Sequence, residues 1–103
     1  MAIQILPFIG KESDWQIWLR KFLATASARG YKEVLEPVDP NVDATVVNND
    51  NAYNDMLLSI NNKVTFGIID KAKSQVHANG DARLAWSKLK KSMNRKQVTV
   101  KSV

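Results

Sequence analysis

A chain of 103 residues with 45% hydrophobic content is sized for one domain around one core. No apolar run reaches the ~20 residues of a membrane span, the start MAIQILPFIG lacks the basic and long apolar stretches of a secretory signal, and no cysteine is present for a disulfide, a thiolate metal site or a thiol nucleophile. The net charge of +5 is lopsided: residues 1–81 hold eight Lys/Arg against ten Asp/Glu, whereas residues 82–103 hold seven Lys/Arg and no acid.

In chain order, residues 1–12 read as extended, with Ile3 and Ile5 alternating with other residues, Pro7 restraining Leu6 and Gly10 marking a turn. Ser13-Asp14-Trp15-Gln16 has the form of a capping box, which predicts a helix from about 14 to 29. Trp15, Trp18, Leu19, Phe22, Leu23 and Ala26 form its apolar stripe, and Gly30 supplies a left-handed stop. Residues 31–50 carry two prolines and several Asn and Asp, so a loop is expected, with one short helical turn near Tyr31–Leu35.

Asn49, Asp50 or Asn51 is a candidate cap for a helix over 51–73 with Tyr53, Met56, Leu57, Ile60, Val64, Ile68 and Ala72 on one face. Asn61-Asn62 and Gly67 are poor interior residues and predict a kink or a break. His77–Gly80 reads as a turn, and Asp81 caps a closing helix that places Ala82, Ala85, Trp86, Leu89 and Met93 on one face. Beyond Asn94 the pattern weakens, and Val98, Val100 and Val103 fit either a strand or the start of a further helix. The expected fold is all-α: a compact bundle of four to five helices behind an extended N-terminal segment. A helical domain is expected over 1–94, with a basic extension over 95–103. Its core is expected to gather Phe8, Trp15, Trp18, Leu19, Phe22, Leu57, Ile60, Trp86 and Leu89.

Convergent reactive groups are scarce. His77 is the only histidine, and the four glycines stand apart at 10, 30, 67 and 80, so no phosphate-binding loop is present. The carboxylates have no EF-hand spacing. No enzyme, cofactor, metal or small-molecule substrate is expected, and the setting expected is cytoplasmic, away from membranes.

Two surfaces remain. On the first helix Ile17, Ala24 and Ala28 fall opposite the tryptophan stripe, and on the closing helix Leu84 falls opposite Trp86 and Leu89. They read as a self-association surface or as ordinary exposed apolar residues. Lys88, Lys90, Lys91, Arg95 and Lys96 read as a phosphate-neutralising surface or as a solvated lysine face. No aromatic residue follows Trp86, so binding to RNA there would be indifferent to sequence.

The order of these signals resembles that of copia-type LTR-retrotransposon Gag polypeptides. PFIGKESDWQIWLRKFLATASARGYKEVL is similar to the family's opening, DNAYNDMLLSINN to its second helix, and NGDARLAWSKLKKSM to its block of A-W-x-x-L followed by basic residues. The matching positions are Phe8, Gly10, Trp15, Trp18, Leu19, Ala52, Leu58, Ile60, Ala85, Trp86 and Leu89. The resemblance implies a capsid-like N-terminal lobe that assembles with copies of itself into particles enclosing RNA. Two departures stand out: the family pattern continues with further helices, and the zinc knuckle many Gag proteins carry is absent here. A small helical module binding nucleic acid non-specifically through its closing helix is the alternative.

Overall fold

Apolar residues three and four apart commit the chain to helices wherever a cap opens the run and a glycine or asparagine closes it. A computed structural model describes the backbone of residues 12–101 and the side chains of residues 14–92. Its helices are α1 (Glu12–Arg29), α2 (Lys32–Leu35), α3 (Val46–Ser59), α4 (Lys63–Asp70) and α5 (Ala82–Lys101). No strand occurs among the described residues, whose architecture is all-α. Phe8 and the segment expected to be extended lie outside the described residues.

α1 already includes Ser13, which therefore is not the cap that the capping-box pattern predicts. At the other end Gly30 takes φ +84, and the Tyr31 amide donates to the Ala26 carbonyl at 2.9 Å, closing the helix as expected. One face of α1 buries Trp15, Trp18, Phe22 and Ala26, while Leu19 and Leu23 are partly buried beside them. Their rings stack in series: Trp15 on Trp18 with centroids 5.4 Å apart, and Trp18 on Phe22 at 5.0 Å. Trp86 of α5 completes the cluster, 6.0 Å from Trp18 and 5.7 Å from Phe22. Offset and tilted rings at these separations add about 0.5–1.5 kcal/mol per pair beyond area burial.

The start of α3 differs from expectation. Thr45, extended at φ −65 and ψ 155, is the cap, and its hydroxyl accepts from the Asn48 amide at 3.2 Å. Asn49 instead lies a turn inside the helix, buried, where it donates to the Gly80 carbonyl at 2.8 Å and accepts from the Ala82 amide at 2.9 Å. A residue that looks like a local cap thus satisfies an orphan amide of another helix, 33 residues away.

The break expected at Asn61-Asn62 is present. Ile60 is extended, and Asn62 caps α4 by accepting from the Thr65 amide at 2.9 Å. This break rephases the chain, so Val64, expected on the buried stripe, is 71% exposed while Thr65 and Ile69 turn inward. Leu57 is partly buried against the core and Ile60 is buried in it. Gly67 sits within α4 and marks no break.

α5 is the centre of the bundle and packs on α2, α3 and α4. Asp81 caps it as expected, accepting from the Leu84 amide at 2.9 Å. Ala82, Ala85, Trp86 and Leu89 are buried. The preceding turn fits tightly: a side chain at Gly80 would run into the ring of Tyr53, whose hydroxyl donates to the Ile69 carbonyl at 2.7 Å. The helix continues to Lys101, so Val98 and Val100 belong to α5 and form neither a strand nor a separate element, while Val103 lies outside the described residues.

Candidate functional site

The outer face of α1 stands clear of the bundle because the aromatic cluster holds its other side. Ile17 is 57% exposed, and Ala24 and Ala28 are exposed in line with it. Arg20 and Lys21, also exposed, flank the stripe. The C-terminal end of α1 is fixed to α3: Arg29 pairs with Asp55 at 2.6 Å, and the Tyr31 hydroxyl donates to the same Asp55 oxygen at 2.7 Å. Burial, and then the Asp55 carboxylate, push the Tyr31 phenol well above its ordinary range. Burial, and then Asp70, raise Tyr53 as well.

Leu84 does not share the outward position of Ile17. It is partly buried, packs against the core, and lines a cleft of about 360 Å³ together with Ala44, Val76 and His77. The segments around Ala44 and Val76 cover the side of α5 that a helical projection leaves to solvent. Leu84 is therefore corrected from a surface residue to a packing residue.

The covering segment is held by α5 itself. Arg83 donates from Nε to the Val34 carbonyl at 2.8 Å, from Nη1 to the Val42 carbonyl at 2.8 Å and from Nη2 to the Glu33 carbonyl at 3.1 Å. One guanidinium thereby satisfies helix-end carbonyls of α2 and anchors the loop beyond it. Three residues further along α5, the Trp86 indole donates to Glu36 at 2.9 Å, and Lys90 reaches both oxygens of that carboxylate at 3.2 Å. Nothing local in the sequence marks Arg83 and Glu36 for these roles. Arg83 meets backbone carbonyls and Glu36 meets Trp86 and Lys90, so the contacts of both are set by tertiary structure across 41 to 54 positions.

Of the basic residues singled out, Lys88 and Lys91 are exposed, and Lys90 is half-exposed in its pair with Glu36. Arg95 and Lys96 lie in α5, and their side chains fall outside the described residues. His77 is partly buried in the turn before α5, its amide accepted by the Ser74 hydroxyl at 3.1 Å. Among the described residues no three histidines or carboxylates gather where a metal ion could be held. No helix among them is long and apolar enough to cross a membrane. Comparison with protein-family models, curated proteins and solved structures returns no match for the chain.

Proposed function

We propose that the chain is a structural domain that associates with copies of itself, in the manner of the capsid N-terminal lobe of a copia-type Gag polypeptide. The observation that carries this reading is the outer face of α1. Ile17, Ala24 and Ala28 are exposed in one line on a helix whose opposite face is anchored by three aromatic rings. A rigid helix with a small apolar stripe supports many weak contacts acting together, as a ring or shell requires, without aggregating the monomer. In a particle the protein then encloses RNA and performs no chemistry of its own. Cytoplasmic assembly is part of the same reading.

Sedimentation velocity over a range of concentrations tests it. The reading requires growth from monomer to larger species with rising concentration, and loss of that growth in Ile17→Asp with the melting curve retained. A chain that stays monomeric throughout rejects it.

Exposed Lys88 and Lys91, in a stretch of α5 with no acid, favour a second reading in which this helix neutralises phosphates. Lys88, Lys91, Arg95 and Lys96 together cover about four phosphates, for a log-log salt slope of about −3 on single strands, independent of base sequence. Fluorescence anisotropy with a labelled oligonucleotide measures the slope. Affinity unchanged in Lys88→Glu/Lys91→Glu returns the lysines to a solvated face.

A further inference from the structure

The acidic half of the chain carries a surface that complements α1. Residues 33–62 hold six carboxylates and no lysine or arginine. The first part of this stretch forms one wall of an open groove of about 380 Å³, in which Tyr31, Val34, Pro37, Val38, Val42 and Ala44 supply apolar surface. Val38 is 90% exposed and Val42 61%, and Val46 and Val47 at the start of α3 are exposed nearby in sequence. Glu33, Asp39 and Asp43 line the same groove and are exposed. Among the described residues its one cation is Arg83, whose guanidinium is already engaged with three backbone carbonyls. The groove is thus apolar within and negative at its margin.

The outer face of α1 has the opposite character. Ile17 projects with Arg20 and Lys21 beside it, and no acid occurs between Trp15 and Arg29. We infer that the groove receives the α1 face of a second copy, with Ile17 against Val38 and Val42 and with Arg20 and Lys21 toward Glu33, Asp39 and Asp43. This inference rests on the self-associating reading above and names the surfaces it uses. A groove of this volume takes a few side chains while the helix, about 10–12 Å across, rides over it.

Two other arrangements fit less well. A two-fold contact of α1 with α1 sets Arg20 and Lys21 near their own copies, and like charges across an interface oppose association. The lysine face of α5 brings charge without an exposed apolar neighbour among the described residues, so it leaves the valines uncovered. Because groove and α1 face are different surfaces of one chain, the contact is head-to-tail. Such a contact propagates into a ring where the rotation closes and into a filament where it does not.

Charge reversal tests the pairing. Arg20→Glu/Lys21→Glu makes the α1 face acidic, and Glu33→Lys/Asp43→Lys makes the groove margin basic. Asp39 is left in place because its carboxylate accepts from the Asn41 amide at 3.0 Å and shapes the turn. Each double variant, checked for retained helicity and melting temperature, is expected to lose association at least tenfold in sedimentation at low salt. An equimolar mixture of the two is expected to regain it, since every contact in an alternating array is again between opposite charges. The fourfold variant in one chain is expected to associate as the parent does. Double variants that associate as well as the parent, or a mixture and fourfold variant no better than either double, overturn the groove–α1 pairing and leave self-association through another surface. A parent chain that never associates overturns both readings.

Discussion

α1 and α5 begin from the same pattern and end in different surroundings. Each buries tryptophan on one face and carries an apolar residue on the other, Ile17 on α1 and Leu84 on α5. Ile17 remains exposed, whereas Leu84 is partly buried against the core. The difference lies in what crosses each helix. The loop after α2 is drawn over α5 by Arg83 and by the contacts of Glu36 with Trp86 and Lys90. On α1 the exposed positions continue from Ile17 through Lys21 and Ala24 to Ala28. Projection along a helix decides which residues share a face, and the path of the rest of the chain decides whether that face is wet.

The largest expected effect comes from cutting the link between the two helices. Trp86→Ala removes an indole that lies against Trp18 and Phe22 and donates to Glu36. A loss of about 3–5 kcal/mol is expected, a large share of the stability of a domain this size. Urea denaturation followed by circular dichroism measures it. A loss below about 1 kcal/mol would mean that α1 and α5 do not share one core.

Leu84→Asp addresses the covered side of α5. It places a carboxylate among Ala44, Val76 and the core, near the existing acid Asp81, while Arg83 of the same cleft is already engaged with three backbone carbonyls. A destabilisation of about 2 kcal/mol is expected from the desolvated charge and the lost packing. A melting temperature equal to the parent's would put Leu84 back on the surface beside Ile17.

Local signals made much of this architecture legible. The Trp15–Ala26 stripe, the Gly30 stop, the break before Asn62 and the Asp81 cap each depend on residues within a few positions of one another, and each is present. Features set by distant partners are not legible in this way. Asn49 looks like a cap for its own helix, yet its side chain serves α5. Val64 continues a stripe on paper, but a helix restarted at Asn62 has a new phase. A helical projection puts Leu84 on the surface because a projection contains no loops. For Ile17, Ala24 and Ala28 the projection and the structure agree on exposure, since nothing described crosses α1 there. For Lys90 the charge was evident, but the Glu36 partner 54 positions away was not.

The anchoring of α1 is exposed to alkaline pH. Tyr31 is held protonated in the fold above its ordinary value of 10.0 by burial and by Asp55, so its contribution is complete below about pH 10. Above that, the unfolded chain releases the proton while the folded chain keeps it, and stability falls by up to about 1.4 kcal/mol per pH unit until the folded value is passed. Tyr31→Phe is expected to cost about 1 kcal/mol at pH 7 through the lost bond to Asp55, and to lose less than the parent as the pH rises past 10. Tyr53, also raised, leaves a residual slope. Parallel curves for parent and variant in urea titrations at pH 8 to 11 would remove Tyr31 as a source of the alkaline loss.

The smallest expected effect on stability is the most informative about the contrast between the helices. Ile17→Asp makes the same apolar-to-acid change as Leu84→Asp, on a residue that is 57% exposed instead of packed. Substitutions on such surfaces usually change stability by less than about 0.5 kcal/mol, and the neighbouring Arg20 and Lys21 offset part of any cost of a new acid on α1. Helicity and melting temperature are therefore expected to match the parent. Under the proposed pairing, concentration-dependent association is expected to fall, because the acid would remove the apolar anchor and oppose a negative partner surface at once. The two aspartates together separate fold from assembly: one lowers the melting temperature, the other only the sedimentation coefficient at high concentration. An Ile17→Asp chain that melts as early as Leu84→Asp would show that something covers α1 as the loop covers α5. Equal melting and equal association would make the stripe plain helix surface.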